Sequence, residues 1–349
     1  MKNLTSYLFI ILILLSNLSK AQRIKLTKDE ANHKVNVVID GVAFTSYFFP
    51  GEDQLKKAVL FPINTSKGTA ITRGWPFEPR AGERIDHPHH VGMWMNYEDV
   101  NGYDYWNNST AIKPEDRLKK YGIIRHTGVK SIKSGNKKGE LVVTADWVDK
   151  DGTGTLTAKE TTTYTFWGTG NQRIIDRKTT ITAVTDILFK DVKDGMFAIR
   201  LARQLEHPST QPDVFTDANG IATQVTKLDN TGISGNYRSS EGVEGDKVWS
   251  TRARWVNLSG KIGEEDISVA IIDHPQNIGY PTYWHARGYG LFAANPLGEK
   301  VFSKDKRTLN FKLSPHQSVT FRYRTVITSG KISDENLNKL AEQFAKSDF

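Results

Sequence analysis

Residues 140–167 of the chain read ELVVTADWVDKDGTGTLTAKETTTYTFW, two runs of strand-forming residues around a short polar stretch. In the first run alternate positions are apolar, and these are Leu141, Val143, Ala145 and Trp147. The second run, 155–167, is rich in Thr and aromatic residues, which favour a pleated, half-solvated surface. Because the polar stretch 149–154 contains two glycines, the pattern predicts an antiparallel hairpin.

The same pattern recurs along the chain, whereas helical periodicity is rare. Further strands are predicted in the segments 34–49, 173–184, 196–201, 249–258, 267–273, 308–313 and 318–327. Helices are expected only at 115–121 and at 333–346, where apolar residues recur at helical spacing behind a capping Ser333. We therefore predict an all-β fold, a large antiparallel β-sandwich of the supersandwich type seen in galactose mutarotase, with long loops and a short C-terminal helix. A jelly roll with long loops is the alternative.

Three long stretches show no strand pattern and are expected to be loops. They are 62–116, 205–247 and 273–297, and they hold most of the His residues. Long structureless loops inside a compact domain are usually functional. The working site is therefore expected on loops that a β-scaffold carries.

The N-terminus has the layout of a secretory signal. Lys2 is followed by an apolar run at 8–15, and the segment Ser-Lys-Ala at 19–21 has small residues at the expected cleavage positions. These are the parts of a secretory signal. We predict a signal peptide at 1–21, a single β-sandwich catalytic domain at 22–349, and a periplasmic or secreted protein. An uncleaved anchor is the alternative, but the apolar run is shorter than the ~20 residues that span a bilayer, so no membrane insertion is expected.

Composition excludes several kinds of chemistry. The 349 residues contain no Cys, which rules out disulfides, thiolate metal sites and Cys nucleophiles. The formal net charge of +8 suits an anionic polysaccharide as partner, although charge that serves solubility alone gives the same number. The sequence has no nucleic-acid-binding motif, phosphate-binding glycine loop or Gly-x-Ser-x-Gly elbow, so no nucleic acid partner is expected.

The densest group of titratable residues is DHPHH at 86–90, with His87, His89 and His90. Pro88 favours an extended His87, which would place His87 and His89 on one face and His90 on the other. Charging one imidazole disfavours charging its neighbour, which suits acid–base catalysis near neutral pH. A loop whose histidines only bond backbone groups is the alternative. The spacing is not a strong metal motif, so no cofactor is firmly expected and a divalent metal is left open.

Two further groups combine charged and aromatic side chains. The segment 273–289 contains His274, Tyr283, His285 and Arg287. Arg287 can hold a carboxylate through two hydrogen bonds, and the alternative is an aromatic-rich corner of the core. The other group lies on or after a predicted strand and contains Arg200, Arg203, Glu206 and His207. Its alternative is a structural ion pair.

Three motifs resemble those of a known family. They are DHPHHVGMW at 86–94, NGYDYW at 101–106 and YWHARGYGLFAANP at 283–296. Together they resemble the PmoA-like family of exported bacterial proteins, formerly a domain of unknown function, and the resemblance covers essentially the whole mature chain. Within that family the sequence is similar to a member of ulvan-degrading systems described as an oligosaccharide dehydratase.

That resemblance implies a carbohydrate-active hydro-lyase. Such an enzyme removes water from a saturated uronic acid at the non-reducing end of ulvan-type oligosaccharides and leaves a 4,5-unsaturated uronyl end. Its partners would be the anionic oligosaccharide and a downstream unsaturated-uronyl hydrolase. Another enzyme acting on uronate polysaccharides, as hydrolase, lyase or epimerase, is one alternative. A non-catalytic sugar-binding protein is the other.

The elimination needs three groups, and candidates for each can be named. A cation must neutralise the carboxylate, for which Arg200 or Arg287 is suitable, and a bound metal would serve as well. A base must remove the C5 proton and an acid must protonate the leaving hydroxyl. The candidate bases are His87, His89 and His90, and the candidate acids are Tyr283 and His285. The candidates for binding the substrate are Arg73, Trp94, Trp106, His207, His274 and Arg287. All of these assignments require the three distant regions to meet at one mouth.

Overall fold

The computed structural model describes residues 23–347 and residue 349, and the predicted signal peptide at 1–21 lies outside them. The described chain consists mainly of strands. They are β1 (Ile24–Asp29), β2 (Lys34–Ile39), β3 (Val42–Phe48), β4 (Val59–Ile63), β5 (Met93–Tyr97), β6 (Ile123–Lys133), β7 (Gly139–Val148), β8 (Leu156–Trp167), β9 (Gln172–Ala183), β10 (Ile187–Phe189), β11 (Gly195–Arg200), β12 (Asp213–Thr216), β13 (Ala222–Val225), β14 (Asn236–Ser239), β15 (Trp255–Ile262), β16 (Glu265–Asp273), β17 (Tyr283–Arg287), β18 (Leu291–Asn295), β19 (Phe311–Leu313) and β20 (Ser318–Ser329). The helices are α1 (Pro114–Lys120), α2 (Glu299–Phe302) and α3 (Asp334–Ala345).

Sixteen of the twenty described strands form two eight-stranded sheets whose neighbouring strands run antiparallel, and the pairs β10–β19 and β12–β13 form two small sheets. The first sheet has the order β1-β2-β3-β4-β5-β11-β18-β17, and the second has the order β14-β15-β16-β20-β9-β8-β7-β6. The hairpin predicted at 140–167 is formed by β7 and β8, with Leu141 opposite Tyr164 and Trp147 opposite Ala158. The predicted antiparallel supersandwich is confirmed, since two sheets of eight strands each exceed the eight strands of a jelly roll.

The core lies between the two sheets and is built from alternate residues of their strands. Leu141, Val143 and Trp147 of the second sheet are buried on the face that the sequence predicts. From the first sheet, Phe197 and Phe292 pack into the same cluster. Burying a large apolar side chain contributes about 1.5–3 kcal/mol. The alternation that predicts the strands therefore also supplies much of the stability of the sandwich.

Helix α3 packs on the outside of the second sheet, as its periodicity predicts. The hydroxyl of Ser333 accepts a hydrogen bond from the backbone N–H of Asn336 (3.2 Å) and caps the helix. Leu337 and Phe344 are fully buried in a cluster that includes Trp255 of the sheet. Among the residues that the structure describes, no helix has the length and apolar character needed to cross a bilayer.

The three stretches expected to be loops contain strands, so that expectation is wrong in part. β5 lies within 62–116, β12, β13 and β14 within 205–247, and β17 and β18 within 273–297. Every residue of β5 and β18 is buried. A strand that is covered on both faces lacks the alternation of apolar and polar residues by which strands are recognised.

The outer face of the first sheet carries the residues around which the candidate site forms. The register places Trp94 opposite Ala198, Ala198 opposite Ala293, and Ala293 opposite His285, in one row across four strands. The connections between strands fold over this face. One of them brings Trp106 to 5.3 Å from Trp94, measured between ring centroids. The covering connections explain why both faces of the central strands are buried.

Candidate functional site

The histidine segment is held in place by one buried arginine. Arg73 is 1% exposed, and its Nη1 donates to the carbonyl oxygens of Arg84 (3.2 Å) and Asp86 (2.7 Å). Its Nη2 donates to the carbonyl oxygens of His87 and His90, both at 2.9 Å. Arg73 was expected to bind substrate. It lies beneath the loop instead, and its contacts fix the path of the backbone.

His87 does not have the extended conformation expected before a proline. Its φ is +45°, in the left-handed region, and the backbone N–H of His90 donates to its carbonyl oxygen (2.9 Å). The tight turn and the hydrogen bonds from Arg73 outweigh the local preference. Left-handed residues other than glycine cost of order 1 kcal/mol or more and often occur at functional sites. The turn stacks His87 on His90, with ring centroids 4.8 Å apart, and does not align His87 with His89.

The carboxylate of Asp86 joins the two arginines to His87. Its Oδ1 accepts hydrogen bonds from Arg73 Nη1 and Arg200 Nη2, both at 2.6 Å. Its Oδ2 lies 2.6 Å from Nδ1 of His87. Burial by itself raises the pKa of Asp86, but the hydrogen bond to His87 and the charges of Arg200 and Arg73 outweigh it and hold the pKa well below its usual range. Asp86 is therefore an anion that orients the imidazole of His87.

Four rings form a column that runs inward from the surface. The centroid distances are 5.4 Å from Tyr289 to His87, 4.8 Å from His87 to His90, and 5.1 Å from His90 to Trp94. The side chain of His87 is 40% exposed, whereas those of His90 and Trp94 are buried. The aromatic residues Trp94 and Trp106, expected to bind sugar, thus pack beneath the histidines and present no open ring face.

His89 and His90 differ from His87 in being enclosed. Burial lowers the pKa of both side chains well below the usual value; the charge of Lys57 adds to this effect at His89, and the charge of Arg200 adds to it at both. Both imidazoles are therefore neutral near pH 7. Their Nε2 atoms have no hydrogen-bond partner among the described residues. Of the three predicted candidates for the base, only His87 reaches solvent.

Arg200, expected to neutralise the substrate carboxylate, instead lies buried beneath the histidine segment and pairs with Asp86. The side chain is fully buried; Nη1 donates to Nδ1 of His90 (3.2 Å), and its guanidinium lies 4.9 Å from the ring centre of Tyr289. The structure thus brings together two regions more than a hundred residues apart in sequence.

Lys57 is a charged neighbour that sequence reasoning missed. It is buried, its Nζ donates to the carbonyl oxygen of His89 (2.7 Å), and the same atom lies 5.3 Å from the ring centre of Trp94. Burial lowers its pKa to about 7. No local signal marks this lysine, because the pair Lys56-Lys57 has the composition of an exposed surface.

A cavity of about 630 Å³ opens in front of His87. Four segments line it, 84–87, 207–213, 246–249 and 286–289. This volume is within the range of small-molecule sites, which run from roughly 300 to 1,000 Å³. The walls are polar and charged, and the ring of Tyr289 forms part of them together with Trp249.

The charged groups of the wall are mostly paired with one another. Arg84 Nε donates to Glu206 Oε2 (2.8 Å), and Arg84 Nη1 donates to Asp213. His207 Nδ1 lies 3.2 Å from Asp246 Oδ1. Arg203 also binds Glu206 (2.8 Å). For Arg203 and Glu206, the structural ion pair weighed in the sequence analysis is the arrangement observed.

Arg287 differs from these groups. It is exposed, lines the cavity, and lies 5.7 Å from the ring centre of Trp249. Within residues 23–347 and 349 it has no carboxylate within ion-pair distance. It is thus the wall's available guanidinium for an anionic ligand.

Two predicted catalytic residues lie outside this cavity, which corrects their expected position. The hydroxyl of Tyr283 accepts a hydrogen bond from Arg307 (2.6 Å), and its ring stacks on Phe302 at 5.4 Å. Tyr283 lines a neighbouring depression. His285 is buried beside Asp194, with Nε2 3.7 Å from Oδ1, and burial lowers its pKa to about 4. Neither side chain lines the cavity in front of His87.

His274, expected to bind substrate, instead holds the C-terminal helix. Its Nε2 donates to the carbonyl oxygen of Phe344 in α3 (3.1 Å), and its Nδ1 accepts from the backbone N–H of Gln276 (3.1 Å). Both ring nitrogens are therefore occupied by structural hydrogen bonds.

Tyr289 takes the place at the mouth that Tyr283 was expected to take. The turn between β17 and β18 presents it, and Gly290 has φ +85° and passes close to Leu201, so that an added Cβ would lie 3.2 Å from the Leu201 oxygen. Burial raises the pKa of Tyr289 to about 12. The signal was present in the sequence, since Tyr289 belongs to the motif 283–296, but both tyrosines fit it equally well.

The open question of a metal finds no support in the geometry. Across the described part of the chain, no group of three or more His, Asp or Glu side chains is arranged to hold a metal ion. Asp86 and His87 face each other, and the arginines that surround Asp86 occupy the positions that a cation would need.

These observations define a large antiparallel β-sandwich protein with a histidine, carboxylate and arginine cluster at a polar cavity. The chain belongs to the family described as "Family of unknown function (DUF6807)", whose sequence model matches residues 34–342. That family description assigns no activity. Comparison with proteins of curated function finds no match.

Solved structures with a similar course of the chain are distant in sequence. The Slr1438 protein from Synechocystis sp. PCC 6803 shares 7% identity over 88% of this chain and 96% of its own, with a TM-score of 0.35. The α-galactosidase AgaA from Geobacillus stearothermophilus shares 10% identity over 88% of this chain and 41% of its own, with a TM-score of 0.39. A putative aldose 1-epimerase from Escherichia coli K12 shares 9% identity over 88% of this chain and 99% of its own, with a TM-score of 0.31. Scores this low carry no conclusion about activity.

Proposed function

We propose that this protein is an enzyme that removes water from a saturated uronic acid at the non-reducing end of an anionic oligosaccharide. The observation that carries the proposal is the pair formed by Asp86 and His87 at the floor of the cavity. Asp86 Oδ2 holds Nδ1 of His87 at 2.6 Å, so the neutral imidazole keeps its proton on Nδ1. Its Nε2 lone pair is then available as a base, and the exposed edge of the ring faces solvent.

Arg287 supplies the cation for the substrate carboxylate. Its guanidinium lines the cavity and has no carboxylate partner among the described residues. When the guanidinium pairs with the substrate carboxylate, it neutralises the negative charge of that carboxylate. This makes the C5 proton more acidic and stabilises the enolate-like intermediate. Arg200, the other candidate, is already bound to Asp86 and acts through that residue.

Tyr289 supplies the acid. Its ring lies 5.4 Å from that of His87, and its pKa of about 12 keeps the phenol protonated at neutral pH. In the reaction His87 Nε2 takes the C5 proton, the C5–H electron pair forms the C4=C5 double bond, and the C4–O bond breaks. The departing oxygen takes the phenol proton and leaves as water. Proton exchange with solvent then restores both residues.

Hydrolysis is less well supported than elimination. A glycosidase generally uses two carboxyl groups that face each other across the bond to be cleaved. The carboxylates of the cavity wall are Asp86, Asp213 and Asp246, and each has a cationic or imidazole partner in the described structure. An epimerase would remove and return the C5 proton with the same base. Epimerisation keeps the C4 hydroxyl whereas elimination loses it, so the fate of that hydroxyl distinguishes these two reactions.

The test follows absorbance and mass together. Purified protein is incubated with a saturated uronate-ended oligosaccharide, and the ultraviolet absorbance of an unsaturated uronate is recorded beside the mass of the products. New absorbance with loss of one water supports the proposal. Chain cleavage with gain of water, a change of epimer at constant mass, or binding without any change would each replace it by one of the alternatives. The product would be a substrate for an unsaturated-uronyl hydrolase, and the predicted export would place the reaction outside the cytoplasm.

A further inference from the structure

A second groove lies on the opposite side of the sandwich, on the outer face of the second sheet. Its volume is about 630 Å³. Two cross-strand rows of β7, β8 and β9 form its floor. One is Val142–Thr163–Lys178 and the other is Glu140–Thr165–Asp176. The turn that carries Lys137 and Lys138 forms one wall, and the C-terminal residues Ser347 and Phe349 form the other. We call this feature the basic groove.

The charge of the basic groove is positive because its carboxylates are neutralised and its lysines are not. Glu140 binds Lys133 (2.8 Å), and Asp176 binds Arg324 (2.6 Å). The main-chain oxygen of Phe349 accepts a hydrogen bond from Arg322 (2.7 Å). Lys137, Lys138 and Lys178 all line the groove, and in the described ranges none of them has an ion-pair partner. Among the described residues, three ammonium groups therefore surround a floor with no free carboxylate.

The floor also offers a hydroxyl and a fixed aromatic surface. Thr165 is 4% exposed, and its Oγ1 has no hydrogen-bond partner among residues 23–347 and 349. The indole of Trp167 donates to Asp176 (2.9 Å), and Arg324 covers the ring at 5.0 Å. Lys178 Nζ lies 5.5 Å from the ring centre of Phe349. A buried polar group without a partner is costly unless a ligand or solvent satisfies it.

We propose that the basic groove binds a segment of an anionic polysaccharide. The lysines meet sulfate or carboxylate groups, Thr165 bonds a sugar hydroxyl, and the edges of Trp167 and Phe349 supply apolar contact. The shallow, threonine-lined floor suits a polyhydroxylated chain better than a lipid surface, which would require exposed apolar side chains to insert. It also suits that chain better than nucleic acid, because Arg324 covers one face of Trp167 and Lys178 lies against Phe349, which leaves less ring surface on which a base can stack.

The position of the groove has a consequence for binding. The cavity in front of His87 lies on the outer face of the first sheet, so the two features face opposite directions. A long polymer held at the basic groove raises the local concentration of chain ends at the cavity, whereas a short oligosaccharide occupies one feature only. This consequence for turnover rests on the proposed function, but the binding itself does not.

The experiment compares two triple variants with equal change of charge. In the groove variant, Lys137, Lys138 and Lys178 are each changed to Ala; in the control, the exposed Lys119, Lys120 and Lys312 are each changed to Ala. Binding to polygalacturonate and heparin, with dextran as the neutral probe, is measured by calorimetry at two salt concentrations. The groove variant is expected to bind the anionic polymers about tenfold more weakly, and the control within about twofold of the parent.

A substitution without change of charge sharpens the test. Thr165→Val removes only the hydroxyl and is expected to weaken binding about threefold. Equal losses in both triple variants would overturn the proposal in favour of a general charge effect. Tighter binding of a DNA oligonucleotide or of anionic lipid vesicles, lost in the groove variant, would overturn it in favour of another partner. Turnover of a short oligosaccharide is expected to be unchanged in the groove variant, so failure here is distinguishable from failure of the proposed activity.

Discussion

The tripeptide Asp-His-Pro occurs twice in this chain, at 86–88 and at 273–275, and the two copies have different surroundings. Asp86 contacts two guanidinium groups and an exposed imidazole beside a cavity. Asp273 is buried, and it accepts hydrogen bonds from Asn277 Nδ2 (2.7 Å) and the backbone N–H of Thr282 (2.8 Å). The same three residues thus form part of a candidate reaction centre in one place and a structural anchor in the other.

The two aspartates show what makes the difference. Arginine charge and the hydrogen bond from His87 hold the pKa of Asp86 low against the effect of burial. Burial raises the pKa of Asp273 to about 7, and neutral donors only partly offset this. A short motif therefore does not define a site by itself. Side chains brought from distant segments decide whether its carboxylate is an anion and whether its imidazole meets solvent.

The largest difference is expected between the activities of the His87 and His274 variants. Changing His87 to Ala removes the proposed base, and activity on a uronate-ended oligosaccharide is expected to fall by about 10²–10⁴-fold. Changing His274 to Ala removes a hydrogen bond to α3, so activity should stay within about twofold while the unfolding free energy falls by about 1–2 kcal/mol. Initial rates and urea denaturation of both variants give the comparison. Equal activity loss in the two would contradict it.

A second difference is expected in the stability of the aspartate variants. Asp86→Asn leaves the buried Arg73 and Arg200 without their anion, which is expected to cost about 3–5 kcal/mol of unfolding free energy. Asp273→Asn should cost about 1–2 kcal/mol, because the native carboxyl with a pKa of about 7 is already partly protonated at neutral pH. Urea denaturation at pH 7 measures both. Near-equal losses would show that the two arginines do not depend on Asp86.

The contributions of Asp273 and Asp86 to the unfolding free energy should change with pH in opposite directions. The folded protein holds the Asp273 proton up to a pKa of about 7, whereas the unfolded chain releases it near the ordinary aspartate pKa of 3.8. The contribution of Asp273 therefore favours folding at low pH and falls by about 3 kcal/mol as pH rises from 4 to 7. The contribution of Asp86, whose folded pKa is lowered, is full above its unfolded pKa and is lost only as pH falls below about 4. Subtracting each variant's stability from the parent's at several pH values isolates these slopes, and slopes of the same sign would rule this difference out.

The smallest effect is expected at the cavity wall. Arg287→Met should raise KM and also lower kcat, so that kcat/KM falls about tenfold, because the exposed guanidinium both binds the substrate carboxylate and stabilises the enolate-like intermediate. Arg307→Met, beside Tyr283 in the neighbouring depression, is the matched control and should leave KM unchanged. Steady-state kinetics of both variants make the comparison. A larger effect of the Arg307 substitution would indicate that the substrate binds beside Tyr283.

Local patterns in the sequence predict the sandwich well. The hairpin of β7 and β8 follows from strict alternation, and α3 follows from its period and the Ser333 cap, since both depend on neighbours in the chain. The inner strands β5 and β18 escape prediction because burial on both faces removes the alternation. The left-handed His87 escapes it as well, because Arg73 imposes that conformation from fourteen residues away in sequence.

The candidate site is predicted in part for a related reason. Alternation along β17 places Tyr283, His285 and Arg287 on one face, and a strand advances about 6.6 Å for every two residues. Only Arg287, at the end next to the turn, lines the cavity. Periodicity indicates the face of a strand but not which end of it meets a loop from elsewhere, so the sequence could not separate Tyr283 from Tyr289.

The most direct test of the role given to Asp86 and His87 is a crystal structure of the His87→Ala variant with a saturated uronate-ended oligosaccharide bound. The expected result places the sugar carboxylate within hydrogen-bond distance of Arg287, with C5 facing the position of the missing imidazole and the C4 hydroxyl near Tyr289. A uronate bound beside Tyr283 and Arg307, or against the second sheet with the cavity unfilled, would contradict the account.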